Sequence, residues 1–235
     1  MEYRRLPNSS SAKTLTRDAA KKRRLGELYL PWWKAYFEAA EKGMKPADLA
    51  QALRVGLAED PDVLDPTLAR TFVGRIVFAA LCDKLLEIDE KLTIVPQLAQ
   101  SWEWSADSKA LTMKLRPGVT FHDGSPFKAD VVVWNVEKVL KQDAPQFDAS
   151  QVGVTASRMP TLRSARKIDE LTVELTTSEP DAFLPLNLTN LFMASPAHWK
   201  KKFDAAAGAT PADKSKAAWT AFAADASGSG PFKMA

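Results

Sequence analysis

The residues of this chain best suited to chemistry are His122 and Asp123, a histidine directly followed by a carboxylate. General-base catalysis needs a histidine in contact with the group that orients it. Neighbouring residues of a strand point to opposite faces, so these two side chains do not form that dyad directly. The Asp123-Gly124 pair is typical of a turn, and a hydrolase acting through His122 is kept only as a third functional hypothesis.

Other sequence signatures of catalysis or cofactor binding are missing. The chain has no phosphate-binding P-loop, no dinucleotide-binding glycine pattern and no Gly-x-Ser-x-Gly nucleophile elbow. His122 and His198 are its only histidines, and they do not have metal-ligand spacing. Residues 59–65 contain four carboxylates but lack the glycine and the distal glutamate of an EF-hand loop. The sequence therefore predicts a protein that is not an enzyme and that holds neither a metal nor a cofactor.

The positive charge of the chain is concentrated near its N-terminus. Residues 1–50 contain 11 Lys and Arg against 6 Asp and Glu, whereas residues 51–235 contain 21 against 23. A near-neutral body argues against nucleic acid as the partner, because phosphate binding needs a concentrated basic surface. The single cysteine, Cys82, lies in an apolar run and is expected to be a buried small hydrophobe.

The first 50 residues are expected to form a basic extension. Residues 1–24 are polar and cannot bury much surface, which predicts disorder. Residues 31–42 read as a short amphipathic helix whose aromatic face packs on a core or lies on a membrane surface, and we favour packing. No apolar segment typical of a secretory signal is visible in residues 1–30. The alternative function is a cytoplasmic interaction module that docks a partner through the basic tail and the Trp32/Trp33 helix.

The rest of the chain mixes helices with short alternating strands. Leu111, Met113 and Leu115 alternate with polar residues, which predicts a strand with one buried face. Helices are expected at residues 67–84, 130–141 and 214–224, and short helices start near 181 and 195. Strands are expected at residues 52–57, within 85–121, within 168–177 and from 228. This order predicts an α+β fold with much antiparallel strand.

Five aromatic residues are concentrated in and around these strands: Trp102, Trp104, Phe121, Phe127 and Trp134. They are expected to pack around a small sheet, and an aromatic shelf for a ligand is the alternative. Trp102 and Trp104 share one strand face, which favours packing for both.

Two longer motifs resemble those of a known family. Residues 95–103 (VPQLAQSWE) and 115–132 (LRPGVTFHDGSPFKADVV) closely resemble the family 5 extracellular solute-binding proteins. These are the dipeptide-, oligopeptide-, glutathione- and nickel-binding components of ABC importers. Shorter matches are Leu64-Asp65-Pro66, residues 168–173 (IDELTV) and residues 228–233 (GSGPFK). The motifs occur in the order of the family, and the resemblance covers residues 53–235.

The resemblance implies both a fold and a function. The implied fold is a periplasmic-binding-protein-like lobe with mixed, largely antiparallel sheets and packed helices. In the family, two lobes close on a solute about a hinge, and the closed form docks on an ABC permease at the membrane. The implied protein is a periplasmic monomer that binds a small peptide or a similar solute and leaves it chemically unchanged.

The same resemblance implies that this chain is an incomplete clamp. Chains of the family continue after the segment at 228–233 to build a second lobe. We therefore expect residues 51–235 to be lobe one with its extra subdomain, the second lobe to be absent, and residues 1–50 to be a partly disordered extension. Because one lobe cannot surround a ligand, weak peptide binding is expected.

The ligand-facing residues are also implied by the resemblance. In the family, the loop and the helix start after the first strand face the cleft, which corresponds here to Arg70, Thr71, Phe72 and Val73. Arg75 is a candidate partner for a ligand carboxylate through its forked guanidinium group. A surface salt bridge is the alternative role for Arg75.

Overall fold

The computed structural model describes residues 72–234. The expected tail, the helix at 31–42, the strand at 52–57 and the acidic loop at 59–65 lie outside the described residues. Within the described part, five α-helices and six strands follow one another along the chain. They are the helices α1 Phe72–Leu81, α2 Ala129–Leu140, α3 Leu184–Leu188, α4 Pro196–Ala205 and α5 Pro211–Ala224 and the strands β1 Leu86–Ile88, β2 Ile94–Pro96, β3 Ala99–Trp104, β4 Ala110–Leu115, β5 Leu162–Asp169 and β6 Thr172–Thr177.

The strands form one hairpin and one larger sheet. β1 pairs with β2, and the other four strands lie in the order β3-β4-β6-β5, with antiparallel pairing throughout. Leu111, Met113 and Leu115 of β4 are buried, as their alternation predicts. Gly118 and Gly124 have positive φ angles of 72° and 84°, which confirms the two turns expected after β4. The described residues thus confirm the α+β fold class.

α2 lies against this sheet and closes the main core. Val132, Val136 and Val139 of α2 are buried in one cluster with the apolar residues of β4 and β6. Trp102 and Trp104 pack at the edge of the same cluster, which favours the packing interpretation of the aromatic residues. Trp134 is the exception to the expected small-sheet core, because it contacts Trp199 and Trp219 in a second cluster formed by α4 and α5.

Hydrogen-bonding caps set where the last two helices begin. The Ser195 hydroxyl accepts a bond from the N–H of His198 at the start of α4. At α5, the Thr210 hydroxyl accepts from the N–H of Asp213, and the Asp213 carboxylate accepts from the N–H of Thr210. This reciprocal capping box starts α5 at Pro211, three residues before the expected start.

After α1 ends, the chain makes backbone contacts with a distant segment. The helix stops at Leu81, before the expected end at residue 84. The carbonyl of Asp83 then accepts a bond from the N–H of Met193, and Lys84 forms an isolated bridge with Phe192. Cys82 is completely buried beside Phe78, as expected of a small hydrophobe.

The observed strands differ from the expected ones in two places. β5 was not anticipated over its full length, because most of its side chains face solvent and give no apolar alternation. Residues 228–233 are not among the strands of the described part. Instead, Gly230 and Phe232 donate backbone hydrogen bonds to the Leu81 and Ala80 carbonyls of α1. In residues 72–234, no helix is both long and apolar enough to span a bilayer.

Candidate functional site

Only part of the predicted site is described, from the start of α1 onward. Arg70 and Thr71 lie outside the described residues, and for Phe72 and Val73 only the helical backbone is described. Arg75 is therefore the one predicted site residue whose side chain is described, and it is exposed. We take Arg75 and the side chains around it as the candidate site.

The guanidinium of Arg75 donates to the side-chain oxygen of Asn190, the residue that follows α3 by two positions. A second arginine reaches the same atom, since Nη1 of Arg158 lies 2.6 Å from Asn190 Oδ1. The amide nitrogen of Asn190 donates to the Asn187 carbonyl at 3.1 Å, which fixes the orientation of the amide. Three segments far apart in sequence thus meet at Asn190.

The charges around Arg75 are only partly balanced. Although the Arg75 residue is exposed, partial burial of its guanidinium lowers its pKa, the positive charge of Arg158 lowers it further, and Glu87 opposes both. Glu87 is itself bound to the buried Lys84, with a carboxylate oxygen 2.6 Å from Nζ. Burial lowers the pKa of Lys84, and the contact with Glu87 opposes that effect. The surface salt bridge that was the alternative role for Arg75 is not among the ion pairs of residues 72–234.

His122 and Asp123 make hydrogen bonds to two separate sets of partners. Nδ1 of His122 accepts a hydrogen bond from the Gly228 N–H at 3.3 Å, and Nε2 donates to the Gly230 carbonyl at 2.8 Å. The carboxylate of Asp123 turns the other way and accepts from the hydroxyls of Ser125 and Ser195 at 2.6 and 2.8 Å. Both ring nitrogens are thus occupied by backbone, and these contacts tie the turn at 121–127 to the end of the described chain.

Protonation of His122 is expected to destabilise the protein. Burial lowers its pKa; the bond to Gly230 opposes this, Lys233 lowers the pKa further and Asp123 raises it. Because the pKa is lower in the folded chain than in the unfolded one, stability is full above about pH 6.5 and is lost as the pH falls through the folded pKa. Urea unfolding between pH 8 and pH 5 should show this decline, and it should flatten in the His122→Gln variant.

Asp123 titrates in a separate window and does not confuse that measurement. Burial would raise its pKa, but the hydrogen bonds from Ser125 and Ser195 lower it overall. Its contribution to stability is therefore lost only below about pH 4. A decline between pH 8 and pH 5 that is equally steep in His122→Gln and in the parent chain would contradict the role assigned to His122.

A groove of about 1140 Å³ lies elsewhere, between residues 142–150 and α5. None of the predicted site residues lines it. Its charged lining side chains are Asp143, Asp148 and Lys216. Across residues 72–234, no three His, Cys, Asp or Glu side chains gather where they could hold a metal ion. We therefore place the candidate site at Arg75 rather than in the groove.

Sequence reasoning missed two of the three side chains at this site. Arg158 lies in a short 3-10 helix, Ala156–Arg158, within an irregular polar stretch that carries no periodic pattern. Asn190 sits in the loop after α3 and also has no sequence signal. Only the folded chain brings these residues to Arg75.

Comparison with known proteins shows which proteins the chain as a whole is similar to. The family model "Bacterial extracellular solute-binding proteins, family 5 Middle" matches residues 93–235. Di/tripeptide-binding protein 4 of Pseudomonas aeruginosa is 34% identical over 105 residues, which are 38% of this chain and 19% of that protein. The glutathione-binding protein GsiB of Pectobacterium atrosepticum is 29% identical over 138 residues, which are 57% of this chain and 25% of that protein.

The described fold is also found in a solved structure. The ABC transporter-associated periplasmic binding protein DppA from Helicobacter pylori, in complex with the peptide STSA, matches with a TM-score of 0.60 at 23% identity. The match covers 74% of this chain and 34% of that one. The chain thus spans about a fifth to a quarter of the two curated relatives and about a third of the solved structure.

Proposed function

Because the chain belongs to family 5 of the bacterial extracellular solute-binding proteins, we propose that it binds a small peptide or a similar solute for uptake through an ABC transporter. The observation that carries this proposal is the family match over residues 93–235. The peptide-binding relative from Pseudomonas aeruginosa and the peptide complex of the Helicobacter protein support the solute class. The activity is reversible binding, without a covalent change to the solute.

The proposed binding surface is the start of α1. Its residues are Arg70, Thr71, Phe72, Val73 and Arg75. Arg75 supports this assignment because it is exposed and lacks an ion pair within residues 72–234. A solute carboxylate would supply the missing partner through a forked, charge-assisted pair of hydrogen bonds.

The proposed domain division has a consequence for affinity. We take residues 1–50 as an extension and residues 51–235 as the first lobe of the clamp, with its extra subdomain. In a two-lobed clamp, affinity comes from the closed state, in which both lobes contact the solute. Residues 51–235 on their own would offer one wall of such a clamp and leave the other side of the solute in water, so we expect this segment alone to bind weakly.

The 235-residue chain alone is therefore expected to bind dipeptides and tripeptides with a dissociation constant above about 1 mM, or less than about 4 kcal/mol of binding free energy. The test is an NMR titration of the isotope-labelled chain with Ala-Ala and Ala-Ala-Ala. The expected result is a set of shifts around the start of α1, including the Arg75 side chain. The Arg75→Gln variant should lose these shifts.

Arg163→Gln is the matched control, because it removes the same charge from an exposed residue whose guanidinium donates to the Pro160 and Leu162 carbonyls. Micromolar binding by the parent chain would contradict the single-lobe interpretation. An absence of peptide-dependent shifts at α1 would contradict solute binding at this surface.

The proposal extends to compartment and partner. We infer a periplasmic monomer that presents its solute to an ABC permease, since the similar Helicobacter protein is an ABC transporter-associated periplasmic binding protein. The competing function, a cytoplasmic interaction module acting through the basic tail and the Trp32/Trp33 helix, falls on residues outside the described range. Cell fractionation separates the two, because recovery in the cytosol with a bound protein would favour the module.

A further inference from the structure

Two arginine side chains converge on a single neutral oxygen. Arg75 and Arg158 both donate to Asn190 Oδ1, and the Asn190 amide nitrogen is held by the Asn187 carbonyl. The Asn190 amide therefore cannot be flipped. A flipped amide would point its NH2 group, a donor, at two guanidinium groups that are themselves donors. Asn190 is a bridge that holds two cations close together.

The charge of this pair is not balanced by a carboxylate within the described residues. None of the ion pairs in residues 72–234 includes Arg75 or Arg158. The acidic group that acts on Arg75 is Glu87, which is bound to Lys84. Two like charges this close repel each other, and the neutral amide oxygen offsets only part of that repulsion.

The pair is also accessible and has unused donors. Arg75 is exposed and Arg158 is half-buried. Each guanidinium has five N–H donors in a planar fork. Arg75 and Arg158 each direct one hydrogen bond to Asn190, and no other bond from either side chain is found within residues 72–234. An incoming anion would therefore meet two partly unoccupied forks.

We propose that Arg75 and Arg158 together form a subsite for a carboxylate of the bound solute, with Asn190 as the positioning residue. The inference rests on the proposed function, since it takes Arg75 as solute-facing and names Arg158 as a second, specificity-determining arm. Among the oxyanions that paired guanidinium groups accept, carboxylate is the one that a peptide C-terminus carries. The forked geometry of arginine matches a planar carboxylate better than a lysine ammonium does.

The test uses sodium acetate as the probe and the Arg side-chain Nε–H signals of the labelled 235-residue chain as the readout. Sodium chloride and sodium phosphate at equal ionic strength run in parallel. The expected result is a saturable shift of both the Arg75 and the Arg158 signals with acetate. In Arg158→Gln, the affinity reported by the Arg75 signal should fall about fivefold, a size typical of a partly exposed charge pair. It should be unchanged in Arg163→Gln.

A second variant tests the same subsite by placing a carboxylate of the protein itself in it. Asn190→Asp keeps the side-chain shape and places a permanent carboxylate between the two guanidinium groups. Acetate binding should then weaken by more than in Arg158→Gln, and the chain should remain folded because both arginines gain an ion pair. Acetate binding as tight as in the parent chain would overturn the proposal.

The remaining outcomes are equally decisive. If neither arginine signal shifts saturably with acetate, no carboxylate subsite exists here. If the Arg75 signal responds alike in Arg158→Gln and Arg163→Gln, Arg158 has no part in it. If phosphate binds more tightly than acetate, the anion class is wrong. The peptide titration at α1 is a separate measurement, so solute binding can stand when this subsite fails.

Discussion

Replacing Gly228 with alanine is expected to lower the free energy of unfolding by about 3 kcal/mol, at the upper end of the range for overpacked sites. A Cβ on Gly228 would lie 2.2 Å from the Leu81 carbonyl oxygen and 2.4 Å from Cys82 Sγ. The oxygen belongs to the main chain at the end of α1 and cannot rotate away, because it also accepts the Gly230 N–H at 2.9 Å. The segment would have to leave α1, and its bonds to His122 would weaken with it. Urea unfolding monitored by circular dichroism measures the loss.

Gly153→Ala is the matched control for this substitution. A Cβ on Gly153 meets no heavy atom within 4 Å, and its φ lies outside the left-handed region. Alanine there restricts the unfolded chain and is expected to be neutral or to stabilise by about 0.5 kcal/mol. Equal unfolding midpoints for the two variants would show that the contact between Gly228 and α1 is not tight.

The close approach of this segment explains why the sequence misleads at its end. The stretch Gly228-Ser229-Gly230 followed by Pro231-Phe232 resembles the start of a strand. The side-chain pattern does not reveal which atoms lie next to each glycine in the fold. Gly230, like Gly228, has no room for a Cβ, which would lie 2.5 Å from the Leu81 carbonyl carbon. The glycines are needed for packing against α1, which is a tertiary requirement.

Elements with a buried face were predictable from the sequence, and solvent-facing elements were not. β4 and α2 carry clear apolar periods because each turns one face to the same core. In β5, only Leu162 is buried. Arg166 of β5 forms an ion pair with Glu174 of β6, with Nη2 2.9 Å from Oε1. β5 is stabilised as a strand by its pairing with β6. The residues of β5 alone contain no pattern that predicts this pairing.

The candidate site divides in the same way. Arg75 was found because the family resemblance points to the start of this helix. Arg158 and Asn190 were missed because they belong to irregular segments, and their meeting with Arg75 depends on how α3 and the 3-10 helix are placed around the sheet. Residue types in one segment therefore predict a single arginine, whereas the folded chain supplies a pair.

Replacing Asn135 with leucine is expected to lower the free energy of unfolding by about 3 kcal/mol. Asn135 is completely buried in α2, and its amide binds both backbone groups of Ala194. Oδ1 accepts from the Ala194 N–H at 3.0 Å, and Nδ2 donates to the Ala194 carbonyl at 3.0 Å. Leucine has a similar volume but offers no hydrogen bond, so two buried backbone groups lose their partner, at about 1–3 kcal/mol each. Urea unfolding gives the total.

Asn187→Leu is the control, because Asn187 is half-buried and its side chain has no hydrogen bond within residues 72–234. It should change stability by less than about 0.5 kcal/mol. Hydrogen exchange adds a local readout: the Ala194 amide should exchange faster in Asn135→Leu, since its acceptor is gone. A loss of less than about 1 kcal/mol, with Ala194 still protected, would mean that water or the backbone replaces the lost bonds. Because Ala194 follows Asn190 by four residues, the same variant should also loosen the loop that carries the arginine bridge.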